Sequence, residues 1–139
     1  MTQNTLLVGQ ARVAITPVVG THMAGYASRT QPSEGVHDDL YANAVALAVG
    51  ADRAVLIALD VCSLEVAQAR RLQRAVSART GVLADAVLLN CSHTHAGPLI
   101  SRVAADRIDE AALERVLSGA VEAAAAAVAD LSPATLGTS

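Results

Sequence analysis

The stretch 53-RAVLIALDVCSLEVAQARRLQRAVSARTGVLADAVLLNCS-92 decides how this chain folds. It begins and ends with short, almost wholly apolar runs, 53-RAVLIALDV-61 and 86-AVLLNCS-92, whose length and branched side chains suit β-strands. Between them the period changes. Ala69, Leu72, Ala75 and Val76 fall on one stripe of a helix, Arg70, Arg71, Arg74 and Arg79 occupy the other side, and Gly81 stops it. The segment therefore predicts a βαβ unit: strands over 53–60 and 86–92 adjacent and parallel, with a helix over 64–80 in a right-handed crossover between them. Both runs read as interior parallel strands do, apolar almost without interruption.

Working outward, 41-YANAVALAV-49 is a third strand, and the short 50-GAD-52 between it and the 53–61 run predicts a hairpin. The opening segment 6-LLVGQARVAIT-16 reads as a strand ended by Pro17 and the Gly-rich turn 17-PVVGTHMAGY-26. The polar loop 27-ASRTQPSEGVHDD-39 follows. Downstream, 109-DEAALERVLSGAVEAAAAAVADL-131 predicts a second helix in which Gly119 is a tolerated weak point. In 132-SPATLGTS-139 a turn leads into the start of another strand. The expectation is an α/β fold with a mixed sheet, one that stops mid-fold at residue 139.

Composition narrows the function classes. Of 139 residues 53% are hydrophobic and 17% charged, which excludes a disordered chain, but with no Phe, no Trp and two Tyr the core must be built from Ala, Val, Leu and Ile. A formal net charge of −3 leaves no continuous basic face, so nucleic acid is not an expected partner. No apolar run reaches the roughly 18 residues that a transmembrane span needs. The segment 1-MTQNTLLVGQARV-13 lacks the pattern of a signal peptide, so the chain as written is expected in the cytoplasm, and secreted if a longer amino terminus precedes it. Cys62 and Cys91 form no C-x-x-C and are too few for a disulfide framework; two buried free thiols is the preferred reading.

The chemistry concentrates in 90-NCSHTHAGPL-99. Residues i and i+2 of an extended chain face the same way, so His93 and His95 can aim both rings at one point if the strand geometry continues past Ser92. Two converging imidazoles suit a divalent metal such as zinc, and they lie at the carboxyl end of a strand, where open α/β sheets gather their chemistry. The alternative is a pair of loop histidines with polar partners, and the spacing alone leaves the two even. Cys91 alternates with the histidines and is a further donor in one reading, an interior strand residue in the other. Asp60, at the same edge, either orients a histidine or caps the next helix. His37 in 35-GVHDDL-40 reads as holding its own loop rather than facing the site, and His22 in its Gly-rich turn has either a pocket or no special role.

Three segments taken together, 11-ARVAITPVVGTHMAGYA-27, 35-GVHDDLYANAVALAV-49 and 87-VLLNCSHTHAGP-98, resemble the amino-terminal part of the neutral/alkaline non-lysosomal ceramidase family, over nearly the whole chain. The most specific pieces are S-H-T-H-A-G-P and the I-T-P turn followed by M-x-G-Y. The resemblance implies a zinc-dependent amidohydrolase that cleaves the N-acyl bond of ceramide-like sphingolipids to a fatty acid and a sphingoid base. It implies that His93 is a zinc ligand, that His95 lies beside the scissile amide as a catalytic residue, and that Gly25 and Tyr26 bind substrate at the pocket mouth. The chain departs from the family pattern at Ala96, usually Ser, at Asn43, usually Arg, and at Cys91, usually a small residue. The family's other zinc ligands and its loop serine fall downstream of these residues, so the isolated chain is expected to lack both activity and tight zinc. The competing readings are a metal hydrolase of another substrate class and a catalytically inactive interaction domain.

Overall fold

A computed structural model of the protein describes residues 5–102 and 107–137; the final two residues of the 132–139 segment lie outside the described residues. Five strands form one mixed sheet: β1 (Leu6–Ala14), β2 (Tyr41–Val49), β3 (Asp52–Leu59), β4 (Val87–Cys91) and β5 (Ser132–Pro133), in the spatial order β4-β3-β2-β1-β5. β1 pairs with β2, β2 with β3 and β5 with β1 in antiparallel fashion, whereas β3 and β4 are parallel. Helix α1 (Val66–Thr80) makes the crossover between the parallel pair, and α2 (Glu110–Ala129) precedes β5. The hairpin, the βαβ unit and both helices are therefore present as the sequence predicts, whereas the last strand comes earlier than expected, at Ser132–Pro133, where the sequence predicts a turn.

Local chemistry sets the helix ends. At the start of α1 the Glu65 backbone N–H donates to Gln68 Oε1 at 2.8 Å, the returning half of a capping box. Gly81 closes the helix at φ 75°, a left-handed conformation that costs glycine little. Asp109 caps α2, its side chain accepting from the Ala112 N–H at 2.9 Å.

Both helices pack on one face of the sheet. Val55, Ile57 and Leu59 of β3 are buried there with Leu72 and Val76 of α1 and Leu113, Val116 and Leu117 of α2. With no large aromatic side chain to act as spacer, α2 settles close to β1. A Cβ on Gly119 would meet Ile15 Cγ2 at 2.6 Å, and one on Gly9 would meet the Ala127 carbonyl oxygen at 2.0 Å. Gly119 is thus a required notch for strand packing, which corrects its reading as a merely tolerated weak point: in the sequence, a glycine that lowers helix propensity looks like a defect, and only the neighbouring strand shows its use.

Among the described residues the opposite face carries no helix, and burial along β2 and β3 alternates accordingly. Val45, Leu56 and Leu88 stand side by side on it through the register Val45↔Leu56 and Leu56↔Leu88, each at least 38% exposed. The near-continuous apolar runs of β3 and β4 do not mark two covered faces in this chain. Among the described residues no helix is long and apolar enough to cross a membrane.

Candidate functional site

Because β3 and β4 are parallel, their carboxyl ends share one edge of the sheet. The ladder runs a little past both strands: Ser92 N–H donates to the Leu59 carbonyl at 2.9 Å and His93 N–H to the Val61 carbonyl at 3.1 Å. β3 ends in a tight turn, Val61 N–H to Leu59 carbonyl at 2.9 Å, which leaves Cys62 beside His93. His93 itself has φ 59°, the only non-glycine among the described residues with positive φ, so the extended geometry stops there. The two histidine rings nonetheless converge, with centroids 5.1 Å apart in an edge-to-face arrangement. The backbone twist at His93 and the fold of the next loop bring them together; strand alternation does not.

His93 Nδ1 lies 2.8 Å from the carbonyl oxygen of Cys62 and 3.6 Å from its Sγ. One donor atom each from Cys62, His93 and His95 falls within 4.8 Å of the others, the one group of three such side chains among the described residues able to hold a metal. The set of two imidazoles and a thiol suits zinc. His93 is exposed, and Cys62 and His95 are half-buried.

His95 is held from the other side by the loop after β1. Tyr26 packs edge-on against its ring with centroids 4.8 Å apart. Gly25, at φ 105°, passes so close that a Cβ would stand 2.3 Å from His95 Cγ. Arg29 donates to the carbonyls of His95 at 2.7 Å and Ala24 at 3.0 Å, and its guanidinium lies 5.0 Å from the Tyr26 ring centre. The backbone seals the same junction: Ala24 N–H donates to Gly97 at 2.9 Å and Leu99 N–H to His22 at 2.8 Å. From α1, Gln68 Nε2 donates to the Ile100 carbonyl at 2.6 Å and anchors the far end of the histidine loop.

The other sequence candidates separate from this cluster. Cys91 packs half-buried against the core, and burial pushes its thiol above the ordinary value. Only one of the two cysteines therefore has the core surroundings expected of both; Cys62 lies beyond the strand end, where the turn exposes it to the histidines. Asp60 neither orients a histidine nor caps α1: its Oδ2 accepts from the Tyr41 N–H at 3.0 Å, which ties β2 to the end of β3. His37 is exposed, with Nδ1 2.6 Å from Asp38 Oδ2, and the carboxylate raises the imidazole pKa. It lies at a cavity of about 510 Å³ whose lining includes Thr16, Met23, Leu40, Thr94 and Pro98. Gly25, Tyr26, His93 and His95 are absent from that lining, so the cavity and the histidine pair occupy different sides of the junction. His22 contributes its backbone carbonyl and leaves its ring exposed.

Sequence reasoning overlooked Cys62 and Arg29. For Cys62 the signal was available: in a βαβ unit both strand ends reach one edge, so the residues just after 53–60 belong beside those just after 86–92. For Arg29, inside a polar loop, no local pattern marks the role.

Comparison with known proteins agrees with this architecture. A solved neutral ceramidase from Pseudomonas aeruginosa superposes with a TM-score of 0.82 at 23% identity, over 94% of this chain and 22% of that one. A second solved structure, a ceramidase complexed with C2, gives a TM-score of 0.83 at 25% identity, again over 94% and 22%. The chain thus spans about a fifth of the length of the solved proteins it matches, at 22%. No curated protein matches its sequence. Residues 6–139 match the family described as neutral/alkaline non-lysosomal ceramidase, N-terminal, and the chain belongs to that family.

Proposed function

We propose that the protein containing this chain is a zinc-dependent amidohydrolase that cleaves the N-acyl bond of ceramide-like lipids to a fatty acid and a sphingoid base. The observation that carries the reading is the convergence of His93 and His95 at the carboxyl edge of the sheet, 5.1 Å between ring centroids, in a chain of the ceramidase family. Zinc, when bound, supplies Lewis-acid polarisation of the amide carbonyl.

His93 is the zinc ligand in this chain. Its Nδ1 faces a carbonyl oxygen, which only accepts, so that nitrogen carries the proton and Nε2 is left as the ligating atom. His95 meets the acyl carbonyl beside the ion and stabilises the charge that develops on its oxygen. Tyr26, Gly25 and Arg29 fix the His95 ring, so the donor is aimed before substrate arrives. A catalytic zinc site uses three protein ligands and an open position, and the rest of the site lies in the part of the protein beyond this chain.

The test is zinc stoichiometry beside fatty-acid release from ceramide, on the full-length protein and two variants. His93→Ala lowers both metal content and turnover. His95→Ala keeps the zinc and slows cleavage by about 10²–10³, the usual effect of losing one preorganised donor to an oxyanion. Equal metal loss in both variants would refute this division of roles, and a full-length protein inert towards ceramide would refute the assignment.

A further inference from the structure

We propose that the free edge of β4 is the docking line for a further β-strand, supplied by the same polypeptide from outside residues 1–139, so that the sheet continues past β4 in the full-length protein. The pairing is independent of the zinc reading, since it involves backbone groups alone.

The two edges of the sheet are built differently. At the β1 edge the backbone is occupied or blunted. Gln10 N–H donates to Asp130 Oδ2 at 3.2 Å and Ala134 N–H to the Leu6 carbonyl at 2.9 Å. The outermost strand there, β5, has two residues, and one is a proline, which has no N–H to offer. β4 has none of these devices. Its sequence, 87-VLLNC-91, carries no charge and no proline, and among the described residues it pairs with β3 alone. Leu88 on this strand is 54% exposed. A bare apolar edge of this kind is a template for another strand, and native proteins blunt or cover it.

The parity of the ladder identifies the groups that face outward. Ser92 N–H donates to the Leu59 carbonyl, and Leu59 is the register partner of Cys91. In a parallel ladder of this register Leu88 and Asn90 turn their N–H and C=O groups toward β3, and Val87, Leu89 and Cys91 turn theirs away. The Val87 carbonyl has a partner on that side, accepting from Gln73 Nε2 at 2.9 Å. Leu89 and Cys91 are half-buried, yet among the described residues no hydrogen bond reaches their outward backbone groups. Half-buried N–H and C=O groups call for partners, and donors and acceptors repeating every second residue match another extended backbone.

The same polypeptide is the favoured source. This chain spans 22% of each solved structure it matches, so a protein of that length keeps most of its residues outside this segment. A tethered strand is present at an effective concentration of about millimolar, well above that of a second copy in dilute solution.

The experiment is amide hydrogen exchange of the wild-type full-length protein, resolved to single residues by mass spectrometry. The Leu88 and Asn90 amides, bonded to β3, are the reference. Leu89 and Cys91 are expected to exchange as slowly as that pair, at least about 10³-fold below the free-peptide rate, and to remain so when the protein is diluted about a hundredfold. Exchange of Leu89 and Cys91 near the free-peptide rate, beside a protected Leu88 and Asn90, overturns the proposal. Protection at only one of the two outward amides marks an isolated side-chain cap and overturns it as well. Protection that disappears on dilution marks a second copy on the edge, which overturns the assignment to the same polypeptide.

Discussion

Replacing Gly25 with alanine separates backbone strain from loss of catalytic geometry, because Gly20 provides a matched control. Both glycines have left-handed φ, 105° at Gly25 and 97° at Gly20, so alanine pays a similar conformational cost at each, about 1–3 kcal/mol. At Gly20 the new methyl group meets nothing within 4 Å, while at Gly25 it meets His95 Cγ at 2.3 Å, Cβ at 2.5 Å and Cα at 2.8 Å. Carbon atoms rest about 3.5–4.0 Å apart, so His95 or the Gly25 loop must retreat by more than 1 Å. Because Cα is among the atoms struck, a ring rotation alone does not relieve the contact. A misplacement of about 1 Å in a reacting group costs up to about 10² in rate. The assay is fatty-acid release from ceramide beside thermal unfolding, with the His95 ring followed by NMR. Gly20→Ala is expected to lower the melting temperature by several degrees and leave turnover and the His95 resonance in place. Gly25→Ala is expected to shift that resonance and lose about a hundredfold in turnover. Full turnover in Gly25→Ala, or an equal loss in Gly20→Ala, would refute the claim that this glycine sets the position of His95.

Three further outcomes follow from the same geometry. Gly119→Ala improves intrinsic helix propensity by about 1 kcal/mol, yet it is expected to lower stability in urea unfolding, because the added methyl group strikes Ile15 at 2.6 Å and overpacking costs about 1–3 kcal/mol. Arg29→Ala strips the bonds to the His95 and Ala24 carbonyls and should slow amide cleavage without reducing bound zinc, with Arg29→Lys recovering part of the rate through one of the two bonds. The Arg71 guanidinium, bonded to Glu114 at 2.6 and 2.7 Å, lowers that carboxyl's pKa. Its contribution is complete above the ordinary value of 4.5 and is lost as pH falls through the lowered folded value. Both groups are exposed, so a small difference in melting temperature between wild type and Glu114→Gln is expected near neutral pH, shrinking with salt and vanishing in acid.

The elements of this fold were legible in the sequence because their signals are local. A period near 3.6 over 64–80 and short apolar runs over 53–61 and 86–92 report hydrogen bonding within or beside the segment itself, and the structure places α1, β3 and β4 there within two residues. The three-residue link 50–52 similarly announces the β2–β3 hairpin, and H-T-H after a strand picks out the histidine pair. By contrast, the apolar content of β3 and β4 does not reveal how many faces are covered; that depends on where α1 and α2 lie. Glycine at 9 and 119 has no meaning until α2 crosses β1, since the contact each allows is with a residue distant in the chain.

The site divides along the same line. Residue type and strand-end position by themselves single out His93 and His95 as metal-site candidates. Tertiary structure alone decides what surrounds them: the left-handed turn at His93 breaks the alternation that would have grouped Cys91 with the pair, and parallel pairing 31 residues away in sequence brings Cys62 instead. Arg29 reaches the His95 carbonyl across 66 residues, at 2.7 Å. Periodicity encodes which way a side chain faces relative to its own segment. Which distant segment meets it is settled by packing, through close approaches such as those at Gly25 and Gly119 that no short window of sequence contains.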